Sequence, residues 1–466
     1  MPLPLELAFA SIRTLGQGLR AKQFSAVELA AFFLDRLEKF GPRFNAVVTV
    51  TRERALVEAA QADRDLAGGN DRGPLHGIPY GAKDLLATRG IPTTWGAAPY
   101  RTRVIDDDAT VIRRLREAGA VLAGELSMVE IAGGMGYKQA NASFNGPGLN
   151  PWNEKSWSGG SSSGSGSAVS AGLVPFAIGS ETSGSIMTPA GYCGVTGLRP
   201  TYGRVSRQGA MALCWTMDKL GPICRTADDC GLVANAIAGH DPLDETSVSR
   251  QYRYPPEPLP ARPFKLALLR EPARKLQPDV QANFEAALKV LEGFASFGEV
   301  GLPDFPYSAV VGTIIGSEMS AAFEGMLTSG QVWELAAPED RVGAHAAMLI
   351  PAKDYINACR IRKLIQKALD DKFAGFDAVV VPTVATVAPP IDREFRAYQG
   401  DFRGTGLTVA ANAAGIPAMT VPNGFGERGL PTGLSFVGRA FDENRLITVA
   451  AAYQEATNWH QRHPDL

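Results

Sequence analysis

Histidine is scarce in this chain, with five residues in 466. Four of them, His240, His345, His460 and His463, follow a serine-rich stretch, and none sits in a setting that marks it as a catalytic base. Cysteine is equally sparse, at positions 193, 214, 224, 230 and 359. An odd number without a C-x-x-C pair fits reduced thiols in a cytoplasm better than a disulfide framework. Charge of one sign is not in excess either, since 46 Lys and Arg face 48 Asp and Glu for a net charge of -2. That balance leaves no basic footprint for nucleic acid or for an anionic membrane. No apolar run approaches the roughly 18 residues of a membrane span. The N-terminus lacks a basic segment, and Glu6 interrupts its apolar run, so no secretory signal is expected. No G-K-[ST] follows the glycines, which removes the phosphate-binding loop, and the S-x-x-K of β-lactamase-type enzymes is missing too. His460-x-x-His463 lacks a nearby third ligand and reads as a solvated tail, not a zinc site.

What the chain does have is a stretch saturated with serine and glycine from Trp157 to Arg199. Runs of this composition are usually flexible linkers without core residues. Here Ala168-Val169, Leu173-Val174 and Phe176-Ala177-Ile178 interrupt it, so it belongs in a folded interior. Small residues at that density let backbone approach backbone or ligand closely.

Around it, strand-like and helix-like segments alternate, which argues for an α/β protein. Ser25 and Glu28 form a capping box that opens a helix over 26–39, stopped by Gly41-Pro42. Strands are expected over 45–51, at 121–123, over 265–269 and over 377–381, and a short strand or turn at 75–84 carries Lys83. Helices are expected over 53–66, 110–118 and 279–294. Residues 409–420 and 433–437 read as a return to the same sheet. Residues 153–160 do not read as a strand, and 241–262, rich in proline and charge, are the best linker candidate. No internal repeat is present.

Two nucleophile schemes are open on the residues alone. Gly160-Ser161-Ser162-Ser163-Gly164 satisfies G-x-S-x-G with Ser162 central, but that elbow needs a preceding strand and a later histidine and acid. The other scheme is a serine whose base is lysine, which must be buried to lower its ordinary pKa of about 10.4. Lys83, flanked by Ile78-Pro-Tyr-Gly-Ala and Leu85-Leu86, fits that requirement. Its plain alternative is a structural ion pair with the adjacent Asp84.

The motifs G-I-P-Y-G-A-K-D around Lys83, G-G-S-S-S-G, and G-S-E-T-S-G-S-I with P-A-G-Y-C-G-V-T-G-L-R-P-T resemble the amidase signature family in order and spacing. Further likenesses lie at 25–45, 377–389 and 412–438, so the resemblance covers most of the chain. It implies one domain over 1–466, an α/β fold with a central, mostly parallel mixed sheet covered by helices on both faces. Within it an N-terminal helical segment would span about 1–66, the catalytic core about 67–240, and a variable substrate-covering region about 307–372. The resemblance also implies roles. Lys83 matches the catalytic lysine, Ser161 the bridging serine after a cis peptide bond, and Ser185, 24 residues on, the nucleophile. The backbone N–H groups of Thr182, Ser183, Gly184 and Ser185 match the oxyanion hole. Gly133, Gly134 and Met135 match a loop beside the substrate, where Met135 would form an adaptable apolar wall. Neither metal nor cofactor is implied.

This chain departs from the family's usual T-D-x-G-G-S-I-R at Glu181, Ser183 and Met187. The supporting ion pair between positions 181 and 187 is thereby lost, so Glu181 must find another donor or sit protonated. Ser183 adds a side chain that narrows the acyl site. Thr201-Tyr-Gly-Arg-Val-Ser-Arg207 and Gly221-Pro-Ile resemble the glutamine-hydrolysing component of the tRNA-dependent amidotransferase, its A chain, but Glu125-Leu126-Ser127 stands in place of the K-T-N found there. The expected activity is therefore a stand-alone hydrolysis of small aryl or alkyl amides through an acyl-enzyme. The alternatives are carbamate or ester hydrolysis, glutamine hydrolysis within an amidotransferase, and a non-catalytic structural subunit.

Overall fold

The computed structural model describes residues 3–255, 263–271 and 275–466. Its strands in chain order are β1 (Val47–Val50), β2 (Pro79–Lys83), β3 (Val121–Leu126), β4 (Leu149–Asn150), β5 (Asn153–Trp157), β6 (Phe176–Glu181) and β7 (Thr196–Arg199). The remainder are β8 (Lys219–Cys224), β9 (Phe264–Arg270), β10 (Ala295–Gly301), β11 (Ala378–Pro382), β12 (Ala418–Phe425) and β13 (Pro431–Val437). Eleven of them form one mixed sheet in the order β1-β3-β2-β6-β8-β7-β12-β13-β11-β9-β10, and β4 with β5 forms a separate two-stranded ribbon. Parallel pairing links β3-β2-β6 and β11-β9-β10, two wings of the sheet. Through the centre, and between β1 and β3, neighbours run antiparallel. Every residue of β2, β3, β6, β7, β8, β11 and β13 is buried. Side chains alternate between the faces of a strand, so both faces of this sheet are covered, as expected of an α/β fold.

Local signals account for the helices. The second α-helix runs Ala26–Phe40, and its box closes in both directions: Glu28 N donates to Ser25 Oγ at 3.1 Å, and Ser25 N to Glu28 Oε2 at 2.8 Å. The serine-rich stretch makes a buried helix, Ser163–Ser170. Its hydroxyls reach neighbouring carbonyls, Ser165 to Ile178 at 3.2 Å, Ser167 to Leu149 at 2.9 Å and Ser170 to Cys193 at 2.7 Å. Buried hydroxyls need such partners. At Gly164 a Cβ would stand 2.3 Å from Ala46 O and 2.5 Å from Ser127 N, so only glycine admits this approach to the β1 and β3 ends.

Three expectations are corrected. Asn153–Trp157 is a strand, held at the antiparallel ribbon edge against β4. Residues expected to begin a strand at 409 lie instead in a helix, Leu407–Ala414, ended by Gly415 at φ 70°, and the strand starts at Ala418. Alanine supplies half of that helix and favours it intrinsically. The linker candidate is pinned over its described part. Asp241 accepts from Ser206 Oγ at 2.7 Å, and Asp244 from Arg207 N at 2.8 Å. Residues 256–262 of that candidate lie outside the described residues. No helix among the described residues is long and apolar enough to cross a membrane.

Candidate active site

Lys83 ends β2, pointing into the interior with no exposed surface. Its Nζ lies 2.7 Å from Ser161 Oγ and 2.9 Å from Ser180 Oγ. Burial pushes the ammonium pKa down to about 7, against the opposing pull of Asp218 and Glu181. Near neutral pH a large share of this amine is therefore unprotonated. In that form it can donate to Ser180 and present its lone pair to the Ser161 hydroxyl. Asp84 is not its partner: that carboxylate accepts from Thr94 N at 2.9 Å and from the Thr94 hydroxyl.

Ser161 follows a cis peptide bond from Gly160, and its carbonyl accepts from Val129 N at 3.0 Å. Ser162, the elbow candidate, faces away from any reactive position. Its Oγ accepts from Ser180 N and donates to Ser180 O, each at 3.2 Å, which ties the start of the Ser163–Ser170 helix to β6. Ser185 is half-buried and lines a cavity of about 360 Å³. Ser162 N donates to Ser185 O at 3.3 Å, so the two serine segments are in backbone contact. Gly184 takes a left-handed φ of 98°, and Thr188 N closes a turn on its carbonyl at 2.8 Å. Among the described residues, the backbone N–H groups of Ser183, Gly184 and Ser185 donate to no protein acceptor. Three free donors beside a hydroxyl form a cradle suited to a developing negative oxygen.

The loop that carries these donors is clamped from beneath. Glu181 Oε2 accepts from Ile186 N at 2.9 Å and Met187 N at 3.0 Å, while Oε1 accepts from Arg199 Nη1 at 2.8 Å and Asn412 Nδ2 at 2.9 Å. Burial alone would raise this carboxyl, but the Arg199 and Lys219 cations outweigh it and, with those hydrogen bonds, hold it at about 2. Glu181 thus has its donor and is ionised, contrary to the alternative of a protonated acid. The ion pair is supplied by β7 instead of by position 187, where Met187 packs into the core. Thr182 Oγ1 donates to Asp218 Oδ1 at 2.5 Å, and Lys219 Nζ to Thr182 O at 3.4 Å. Nothing in the sequence alone singles out Arg199, Asp218, Lys219 or Asn412. Arg199 stands inside the G-L-R-P-T motif, yet spacing does not reveal that β7 lies beside β8, which in turn pairs Lys219 with Glu181.

Gly133, Gly134, Thr182 and Ser183 line the cavity with Ser185. Met135 does not. It is buried and lines an adjoining hollow, because its backbone is packed on the helix Pro338–Ala347, where a Cβ at Gly343 would come 2.0 Å from Met135 O. Aromatic rings build the walls: Trp157 stacks on Phe395 at 4.4 Å, and Tyr137 meets Phe395 edge-on at 5.7 Å. Of the expected covering region only Ile315 reaches this cavity, and the outer wall comes from Thr386, Pro389, Phe395, Tyr398 and Gln399. Among the described residues, none that lines the cavity carries a formal charge or is a histidine.

The family model described as Amidase matches residues 28–447. The A chain of glutamyl-tRNA(Gln) amidotransferase from Carboxydothermus hydrogenoformans is 36% identical, over 99% of this chain and 100% of that one. Among solved structures, a peptide amidase from Stenotrophomonas maltophilia matches with a TM-score of 0.87 and 31% identity, covering 99% of each chain. The corresponding glutamyl-tRNA(Gln) amidotransferase chain of Thermotoga maritima matches with a TM-score of 0.80 and 29% identity, covering 98% of this chain and 97% of that one.

Proposed function

This chain belongs to the amidase family, and from that premise we propose that it is a serine hydrolase of neutral amides that works through an acyl-enzyme. The observations that carry the reading are a buried Lys83 bonded to Ser161 and, beside Gly160, a cavity lined by Ser185, whose neighbouring backbone donors are unpaired among the described residues. Neutral Lys83 takes the Ser161 proton as Ser161 takes that of Ser185, and Ser185 Oγ bonds to the carbonyl carbon. The N–H groups of Ser183, Gly184 and Ser185, with Thr182 at the start of the loop, hold the tetrahedral oxyanion, each donor contributing about 3–4 kcal/mol by general precedent. Ser161 returns a proton to the nitrogen, the C–N bond breaks and the amine leaves. Water, deprotonated along the same route, then cleaves the ester and restores Ser185.

The substrate class follows from what lines the cavity. Aromatic and apolar side chains without a formal charge suit a neutral aryl or alkyl amide. Aryl carbamates and esters share the tetrahedral chemistry and belong to the test.

A second reading rests on the curated relatives, which are named as components of glutamyl-tRNA(Gln) amidotransferase and match over nearly their whole length. They favour glutamine hydrolysis within an assembly, and protein partners enter with that reading. Against it stands the cavity, since free glutamine brings an ammonium and a carboxylate that would lie there without counter-charges.

Purified wild type and Ser185→Ala are to be compared on a p-nitroanilide, a p-nitrophenyl ester, an aryl carbamate, glutamine and a primary aliphatic amide. Turnover of the aryl substrates that disappears in Ser185→Ala is expected. Turnover of glutamine alone transfers the assignment to the amidotransferase component. Absence of all turnover points to a structural role, and undiminished activity in Ser185→Ala removes Ser185 as nucleophile.

A further inference from the structure

On the side of the 133–136 loop the Ser185 cavity has a neighbouring space. Gly134, Gly136 and Ile315 line the cavity and also line a second hollow of about 510 Å³, so the two spaces adjoin across a glycine saddle. The second hollow lies between that loop and two helices, Tyr307–Ala322 and Pro338–Ala347. On the first helix Gly312, Ile315, Gly316 and Met319 recur at helical spacing and so share one face, and on the second Gly343 and Ala347 do the same. Its walls are thus glycine, alanine and larger apolar side chains, with Lys138 and Glu339 the charged members among the described residues. At Gly312 and Gly136 an added Cβ would meet nothing within 4 Å, whereas Gly134, Gly316 and Gly343 are packed against Leu213, Ile350 and the Met135 carbonyl.

We propose that this second hollow is a distal subsite that receives an unbranched apolar chain of the amide substrate, carried over the Gly134–Gly136 saddle from the carbonyl at Ser185. The inference rests on the proposed amidase reading and names the substrate class more closely: an elongated amide, not a compact one. Continuity with the Ser185 cavity commits the occupant to the substrate itself, because a chain leaving that cavity past Ile315 enters this space. The lining supports an apolar chain, since the Met135 and Met319 side chains adapt to a polymethylene segment.

Gly312 supplies the test. Gly312 lines the hollow, an added Cβ there meets nothing within 4 Å, and a helix interior tolerates methionine better than glycine. Gly325, in the helix Glu324–Ser329 and also free of neighbours within 4 Å, gives a matched Gly325→Met control outside the hollow. Two series of amides are used, one lengthening the acyl chain of an anilide and one lengthening the N-alkyl chain of a benzamide, from one carbon to ten. Binding to the Ser185→Ala protein is measured by calorimetry, so the readout stands whether or not a given amide is turned over. Each buried methylene adds to binding, so Kd should fall at least about tenfold along one of the two series. Gly312→Met in the same background should remove that chain-length dependence, while Gly325→Met should retain it. A flat Kd along both series, or a dependence that persists in Gly312→Met, overturns the subsite. Those results leave the Ser185 reading untouched, since that reading is decided separately by turnover in the wild type.

Discussion

Removing Arg199 tests whether the buried ion pair, and not the neighbouring position 187, holds the Ser185 loop in place. Arg199 and Glu181 have side chains 1% and 0% exposed, so truncation leaves a carboxylate buried without its principal cation. Breaking such a pair from one side costs about 3–5 kcal/mol. A second route gives a similar size. Glu181 is held at about 2 instead of 4.5, and a displacement of that extent corresponds to roughly 3 kcal/mol. The sign is that of a depressed acid: the stabilisation is full above the unfolded pKa and fades as pH falls towards about 2. Arg199→Met at pH 7 should therefore lower unfolding free energy in urea by about 3–5 kcal/mol. It also loses the bond from Arg199 Nη2 to Ile416 O at 2.8 Å. Because Glu181 anchors the N–H groups of Ile186 and Met187, the donors beside Ser185 should shift, lowering kcat by about 100-fold. Glu181→Gln removes the other partner, and the double variant should be less destabilised than the two single losses summed. Wild-type urea stability and kcat in Arg199→Met would falsify the clamp.

Further outcomes follow from the proposed relay. With the Lys83 amine titrating at about 7, kcat/KM on a p-nitroanilide should rise with pH through that value, and a flat profile from pH 5.5 to 8.5 refutes lysine as base. A lysine whose folded pKa lies below its ordinary 10.5 opposes folding below about 7, and the penalty is relieved between those two values. Lys83→Met should thus abolish turnover yet raise urea stability at pH 6, and a matching loss of both argues against a strained amine. Ser180→Ala removes the acceptor for one Lys83 N–H and should lower kcat about tenfold with a displaced acid limb. Ser162→Ala strands buried Ser180 backbone groups, so it should cost about 1–3 kcal/mol of stability while keeping the wild-type pH profile, and a lost acid limb there would return Ser162 to the chemistry.

The readable parts of this fold are those written over short distances. Ser25 with Glu28, the glycine stop at residue 41 and the lysine among apolar neighbours each carry their own signal within a few residues. The buried serine helix is legible because its apolar interruptions contradict a linker. Arg199 is not, because its partner lies 18 residues away and meets it only through the order β6-β8-β7. Asn153–Trp157 lacks apolar alternation because it is a short ribbon whose first three residues are half-buried or exposed and need none. The outer wall from 386 to 399 escapes a sequence reading for a related reason. Its aromatic residues are isolated in sequence, and only the packing of Phe395 on Trp157 makes them one surface.

The distribution of charge ties catalysis to selectivity. Glu181, Arg199, Asp218 and Lys219 lie buried behind the loop, Glu181 bonded to Arg199 and the other two to Thr182, while among the described residues none lining the cavity in front carries a formal charge. A developing oxyanion in that cavity meets only oriented N–H dipoles, and in surroundings of low polarisability each counts for more than it would in water. The same surroundings lower the Lys83 amine to about 7 by denying its ammonium hydration. On the proposed reading they would act on the substrate as well. A cationic or anionic group entering beside Trp157 and Phe395 would lose its hydration, so neutral amides would be favoured by the feature that lowers the lysine. Selection against charge then needs no dedicated side chain. It follows from a cavity whose described lining carries no formal charge.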